Sequence, residues 1–235
     1  MSARPDPRAP PLVSVVIPTL DEEAELPGVL EHLAFLPGRW EAIVADGGSS
    51  DRTVQIACER GAGIVARGVT RAAQLNAAAA AARGEVLLFL HADSRLPSGA
   101  HGSIVAALRD PALAGGNFAL SFDGGDRFAR MLTAAYALQR RFGFYYGDSS
   151  IWVRREVFER LGGFRELPIM DEYDFVRRLE RAHRTTCLPG PARTSPRRWR
   201  ALGVPRTLLS LWAIRLLFIA GVPPRRLAAL YRRIR

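Results

Sequence analysis

Lysine is missing from this chain of 235 residues, and cysteine nearly so. All 33 basic side chains are arginine, a bias that reflects genome composition as much as function, although guanidinium suits phosphate. Cys58 and Cys187 are too few and too far apart for a disulfide scaffold or a zinc knuckle, and are expected as reduced, buried filler in a cytosolic protein. No apolar run reaches the roughly 18 residues of a membrane-spanning helix, and Met1–Pro11 lacks the apolar core of a signal peptide, which predicts a cytoplasmic location. Internal repeats are absent too. The alanine run Ala77–Ala82 reads as helix surface and nothing more.

What is present is a globular composition, 48% hydrophobic and 24% charged, which suffices for one packed core and excludes general disorder. The formal charge of +10 is unevenly placed. Residues 181–235 hold thirteen Arg and no acidic side chain, which leaves 20 basic against 23 acidic groups in the first 180 residues. The positive charge therefore describes the C-terminus and not the rest.

Short β-branched runs alternate with helical periodicity through the first half. Leu12–Pro18, Glu41–Ala45, Gly63–Ala66 and Glu85–Leu90 read as strands. Helices are expected from Leu26 to Leu33, Asp51 to Arg60 and Thr70 to Arg83. That alternation predicts an α/β fold with a parallel sheet and ligands beyond the strands' carboxyl ends. The second half reads as mixed: helices at Ser98–Arg109, Arg127–Gln139 and Asp171–Ala182, strands at Asn117–Phe122 and Ser150–Arg154. Gly61-Ala-Gly63-Ile-Val-Ala66 matches a dinucleotide-binding pattern, but it follows a helix and enters a strand, the reverse of the required context.

Three polar strand ends fall where a ligand belongs. Pro18-Thr19-Leu20-Asp21-Glu22-Glu23 fits a helix start with acids favouring its dipole as well as it fits a binding loop. In Asp46-Gly47-Gly48-Ser49-Ser50-Asp51, capping explains Ser50 or Asp51 but not Asp46, whose carboxylate suits base N–H or ribose hydroxyl groups. His91-Ala92-Asp93 sets an imidazole and a carboxylate on one side of an extended chain, and the oxygen ligands of Asp93 suit Mg²⁺ or Mn²⁺. Further on, Asp171-Glu172-Tyr173-Asp174 opens a helix, where carboxylates serve either as helix-dipole partners or as a base.

Together, VSVVIPTLDEE, IVADGGSSDRT, RAAQLNAAAAAARGEVLLFLHADSRLP, RREVFERLGGF and PIMDEYDFVRRL resemble the family 2 glycosyltransferases, most closely the short subgroup associated with radical-SAM and selenium-domain genes. The resemblance implies the GT-A fold: a Rossmann-like, mostly parallel central sheet flanked by helices, a mixed second half and C-terminal amphipathic helices. It implies an inverting, metal-assisted transfer from a nucleotide sugar, UDP before GDP, to a glycan or lipid acceptor, with Mn²⁺ or Mg²⁺. Pro18, Thr19, Glu22, Asp46, Arg71, His91 and Ala92 then line the nucleotide, Asp93 with His91 the metal, and Asp148 with Asp174 the acceptor. Glu172 is the expected base and Asp171 the second choice. Two positions depart from the family pattern, Gly47 in place of a second aspartate and His91 in place of the first aspartate of the metal motif. Arg71, Gln74 and Asn76 belong to a segment expected near the nucleotide, and Arg71 or the Arg177–Arg178 pair to stabilise the departing diphosphate.

The expected domains are a flexible 1–11, a catalytic unit 12–190 with a nucleotide half 12–97 and an acceptor half 98–190, and a basic amphipathic extension 191–235. In that extension arginines flank the apolar run Leu208–Val222, with Trp199 and Trp212 at hand. The pattern fits peripheral contact with anionic membrane at the inner face of the cell, with a helix packed on the catalytic unit as the alternative. A nucleic-acid binder is disfavoured because the remainder is acidic and has no RNA-binding aromatic motif. A silent nucleotide-sugar binder is the other alternative, motivated by Gly47 and His91.

Overall fold

The computed structural model describes residues 9–66, 70–142, 145, 147–195 and 204–234. Strands β1 (Val13–Thr19), β2 (Trp40–Asp46), β3 (Gly63–Val65) and β4 (Val86–Phe89) form a parallel half-sheet with β1 central. Val15 and Val16 are adjacent and both fully buried, so β1 is covered on both faces, as a parallel strand between helix layers must be. Helices α1 (Leu26–Phe35), α2 (Thr53–Glu59) and α4 (Ala100–Leu108) cover one face. The other lies beneath α3 (Arg71–Ala81), α6 (Arg155–Arg160) and α7 (Asp171–Ala182).

The second half adds β5 (Ser94–Arg95), β6 (Leu113–Phe122), α5 (Arg127–Arg141), a 3-10 turn at Gly147–Ser149, β7 (Ile151–Arg154) and β8 (Arg184–Thr194). Strand order is β3-β2-β1-β4-β7-β6-β8-β5, with β7 antiparallel to both neighbours and β6 parallel to β8. The sheet is thus mostly parallel and mixed in its second half. Helices α8 (Val204–Ile219) and α9 (Pro224–Ile234) follow. Among the described residues no helix is long and apolar enough to cross a membrane.

Several expectations need correction. Strand β6 begins at Leu113, four residues ahead of its expected start, because its glycines mark a squeeze between strands and not a turn. A Cβ on Gly115 would lie 2.5 Å from the Trp152 carbonyl oxygen, and one on Gly116 would overlap the Thr186 carbonyl. Strand β8 was not expected at all, and it runs through the 190/191 boundary into the extension. The alanine run is not mere surface: Ala78, Ala79 and Ala82 are buried, and their small side chains let α3 lie close on the sheet. Both cysteines are exposed and unpaired, Cys58 because α2 turns only Thr53 and Ala57 inward. Of the expected flexible N-terminus, residues 1–8 lie outside those described, as do Trp199, Arg197, Arg198 and Arg200 of the extension.

Candidate active site

The parallel register puts Pro18 beside Ala45 and Thr19 beside Asp46, so the ends of β1 and β2 are level. Asp46 is only 3% exposed. Its carboxylate accepts the Ser49 hydroxyl at 2.5 Å, the backbone N–H groups of Gly48 and Ser49 at 2.8 and 2.9 Å, and the Thr19 hydroxyl at 3.1 Å. Burial pushes its pKa upward, but those donors outweigh it and keep the group ionised below the ordinary carboxylate value. Gly47 is needed because a Cβ there would press on the Thr19 carbonyl at 3.1 Å and on Gln74 at 3.3 Å.

The two loops beyond these strands clasp each other. Asp21, at φ +54°, accepts Ser50 N–H at 2.8 Å, and Arg52 N–H donates to Glu23 at 3.1 Å. In return Glu23 N–H donates to Asp51 at 3.0 Å and Glu22 N–H to the Thr53 hydroxyl at 2.8 Å. The backbone carbonyl of Glu22 caps α1 through Leu26 N–H at 2.9 Å. Most of the acids here therefore hold the rim in shape around Thr19 and Asp46.

Strand β4 delivers the third end. Ala92 is buried, while His91 and Asp93 reach the cleft. Arg71, the first residue of α3, donates through Nη2 to Glu172 Oε1 at 2.6 Å and lies 2.9 Å from His91 Nε2. His91 Nε2 is also 3.5 Å from Glu172 Oε1, and Arg71 Nη1 is 4.0 Å from Asp171 Oδ2. Nε2 is engaged by these two groups, so Nδ1 is left for the ligand role expected of His91 in the tautomer whose Nε2–H donates to Glu172. Asp93 Oδ1 receives long contacts from Ser94 and Thr194 hydroxyls, at 3.4 and 3.5 Å, which leave its lone pairs available.

Burial works against the charge of Glu172, yet the Arg71 guanidinium overrides it, with His91 assisting, and holds the carboxyl well below the usual range. Asp171 moves the other way: burial raises its pKa, the Glu172 charge adds to that, and Arg71 only partly compensates. Its Oδ2 is buried without a hydrogen-bond partner. Asp148, on the 3-10 turn, completes the wall. Burial pushes its carboxyl up to about 6, against the pull of His91 and a hydrogen bond from Tyr136, and Glu172 and Asp93 raise it further. Its Oδ1 is likewise buried and unpartnered.

Packing fixes where α7 begins. Phe89, at the end of β4, meets Phe164 edge-on with centroids 4.7 Å apart, and Phe164 meets Phe175 of α7 at 4.9 Å. This aromatic bridge ties the His91–Asp93 segment to the helix carrying Asp171 and Glu172. Asn76 locks the intervening loop by donating to Phe164 O at 2.8 Å and accepting from Phe164 N at 2.9 Å. Arg178 does the same through Leu161 O at 2.6 Å, Gly163 O at 2.7 Å and Asp174 at 2.8 Å. Arg165 takes the other Asp174 oxygen at 3.2 Å, and Arg177 pairs with Glu180 at 3.8 Å.

The structure thus gathers Arg71, His91, Asp93, Asp148, Asp171 and Glu172 around one cleft, beside the Pro18–Thr19–Asp46 rim. It does not bring Asp174, Arg177, Arg178 or Asn76 to it: Asn76 and Arg178 bind the backbone of the 161–164 loop, Asp174 pairs with Arg178 and Arg165, and Arg177 pairs with Glu180. Tyr136, Ser49 and Thr194 are contributors the sequence reading missed. Tyr136 and Thr194 meet their partners only through the fold, so no spacing marks them, whereas Ser49 binds Asp46 locally, three residues on.

A protein-family comparison matches residues 14–165 to the family described as Glycosyl transferase family 2. No curated protein matches the chain. Among solved structures, the mannosyltransferase PcManGT from Pyrobaculum calidifontis, in complex with GDP-Man and Mn²⁺, aligns with TM-score 0.61 at 20% identity over 82% of this chain and 58% of that one. S. aureus TarS 1–349 in complex with UDP-GlcNAc aligns with TM-score 0.63 at 16% identity over 78% of this chain and 58% of that one. At such identities the likeness is one of fold, and the chain spans less than two thirds of either neighbour's length. With a family match across more than half of its residues, the chain belongs to glycosyl transferase family 2.

Proposed function

We propose that this chain is a glycosyltransferase that moves a sugar, with inversion, from a nucleoside-diphosphate donor, UDP-linked before GDP-linked, to an acceptor hydroxyl or lipid phosphate. The observation that carries the reading is the placement of Glu172, in contact with Arg71 and His91, in one cleft with Asp93 and Asp148. The neighbours of like fold were solved with GDP-Man and Mn²⁺ and with UDP-GlcNAc, which supports a nucleotide sugar and a divalent metal.

The donor set fits such an ion. Two carboxylates, Asp171 and Glu172, face Arg71, and the long contacts to Asp93 Oδ1 leave its lone pairs available. Among the described residues no three such side chains form a complete metal cage. Asp93, with Nδ1 of His91 as the second candidate, would hold the ion. When bound, the ion neutralises charge on the departing diphosphate.

The chain's own residues do the rest. Thr19 and the loop that Asp46 holds in shape border the nucleoside, with Pro18, Ala92 and Glu22 shaping its slot. Arg71 is the cation nearest the base and the donor phosphates' natural partner. As it turns to them, Glu172 loses the charge that suppresses its basicity and accepts the acceptor's proton during attack at the anomeric carbon. Asp148 Oδ1 receives a hydrogen bond from the acceptor and orients it; Asp171 is the second candidate base. The expected setting is cytoplasmic, at the inner face of the cell membrane.

The test is calorimetry with UDP and GDP, each with Mn²⁺ or Mg²⁺, followed by transfer assays over a panel of nucleotide sugars. Glu172→Gln should abolish transfer while nucleotide binding stays, and Asp93→Asn should remove the metal dependence of that binding. Absence of nucleotide binding with either metal would overturn the reading; full transfer by Glu172→Gln would move the base to Asp171.

A further inference from the structure

Helix α8 is inside out. Its buried side carries Ser210 and Arg215, the latter 3% exposed, alongside Ile214. Its outer side shows Leu209, Trp212, Leu216 and Ile219, which are 71%, 45%, 59% and 58% exposed. These recur at three- and four-residue intervals and form a stripe along one face. Ala213 and Leu217 widen it, so the outer face holds no charged residue among those described. The one arginine of the run has been drawn inward, where it donates to Gln139 of α5 at 3.0 Å and lies 3.9 Å from the centroid of Trp212. A helix that buries its charge and presents leucine to water leaves its apolar surface unpartnered.

Helix α5, held to α8 by that bond, repeats the pattern. Met131, Leu138 and Phe142 are exposed at 51%, 55% and 68%, with Arg127, Arg130 and Arg141 exposed on the same helix. Arg225 and Arg226 of α9 are exposed next in the chain, and no acidic residue occurs anywhere in 181–235. Apolar stripes bordered chiefly by arginine, with Asp123 and Asp126 ahead of α5 the exposed acids, are complementary to acyl chains beneath anionic headgroups.

We infer that the outer face of α8, with the exposed stripe of α5, is a docking surface for an anionic lipid bilayer. The helix lies along the interface, with Leu209, Trp212, Leu216 and Ile219 below the headgroups and the arginines among them. This surface adjoins the catalytic wall: Phe218 of α8 packs on Tyr173 with centroids 5.9 Å apart, and Tyr173 directly follows Glu172. If the proposed transfer holds, an acceptor carried by lipid would arrive on the side of the base. Docking itself does not rest on that reading.

The experiment is flotation of the full chain with phosphatidylcholine vesicles, with and without phosphatidylglycerol, at low and high salt. Wild type should float with the anionic vesicles and be released by salt. Leu209→Glu combined with Leu216→Glu, both outside the core, should lower partitioning at least about tenfold with an unchanged melting temperature. Arg225→Ser with Arg226→Ser should weaken it to a smaller extent. Failure to float, flotation indifferent to the leucine substitutions, or equal binding to neutral vesicles would overturn the proposal. So would a dimer in sedimentation velocity that the same leucine substitutions abolish, since a second copy would then cover the face.

Discussion

Replacing Arg71 by Met isolates the contact on which the proposed chemistry turns. The pair lies between the buried and exposed limits, with 12% of the Glu172 side chain and 38% of the Arg71 side chain exposed. Removing one partner of a fully buried pair costs about 3–5 kcal/mol and of an exposed one at most about 1 kcal/mol. Discounting for the water that reaches Arg71 leaves about 2 kcal/mol, or a melting temperature lower by about 4–8 °C in a chain of this size. Glu172→Gln should cost less, about 1 kcal/mol, because the orphaned guanidinium is hydrated. The double variant should then resemble Glu172→Gln alone, with a coupling of about 1–2 kcal/mol. The sign with pH follows from the directions above. In the wild type the carboxyl is held low, so the pair's stabilisation is full at neutral pH and is lost only as pH falls through that low value. In Arg71→Met only His91 opposes burial, the carboxyl titrates higher, and its penalty is relieved on acidification. Thermal and urea unfolding of the four proteins across pH supply the assay. Effects that simply add, to within about 0.5 kcal/mol, or a stability gap that stays constant on acidification, would refute the coupling.

Arg178→Ala should cost about 2–4 kcal/mol in urea unfolding, since it strips hydrogen bonds from two loop carbonyls and leaves Asp174 short of a partner. Transfer should fall with it while nucleotide binding is retained, because the loop it anchors positions α7 and not the rim. Glu41→Gln tests a second carboxylate. Burial raises the Glu41 pKa, but the Ser14 hydroxyl and the Arg83 amide and guanidinium outweigh it and leave the group depressed. The wild type should therefore exceed the variant by about 1–2 kcal/mol at neutral pH, and the difference should vanish as pH falls through the folded value of Glu41.

The first half was legible because burial on both faces leaves unbroken β-branched runs, as in Val13–Ile17, and because the intervening helices carry their apolar stripe at regular intervals, as in Leu26, Val29, Leu30 and Leu33. Strand β8 was not, since Pro189, Gly190 and Pro191 read as a loop; the structure accommodates them through register shifts against β6. Direction was the other blind spot. Arg178 and Asn76 look from the sequence like phosphate or nucleotide contacts, but their partners are backbone atoms of the Leu161–Phe164 loop, and nothing in side-chain spacing reports a carbonyl. Arg215 shows the converse: a charge within an apolar run argues for a solvated side, and here the charge faces in and the leucines face out.

Thr194 closes β8, and its hydroxyl reaches Asp93 across 101 positions of sequence. The adjoining Arg193 and Thr194 also supply the whole pairing edge for Ser94 and Arg95. Any shortened version of this protein must therefore keep the chain at least through Ser195. A cut at 190, where composition suggests the catalytic unit ends, would unpair the segment that follows Asp93 and imitate the loss of the proposed metal ligand, so a tail deletion placed there would report on the proposed site when it was meant to report on location.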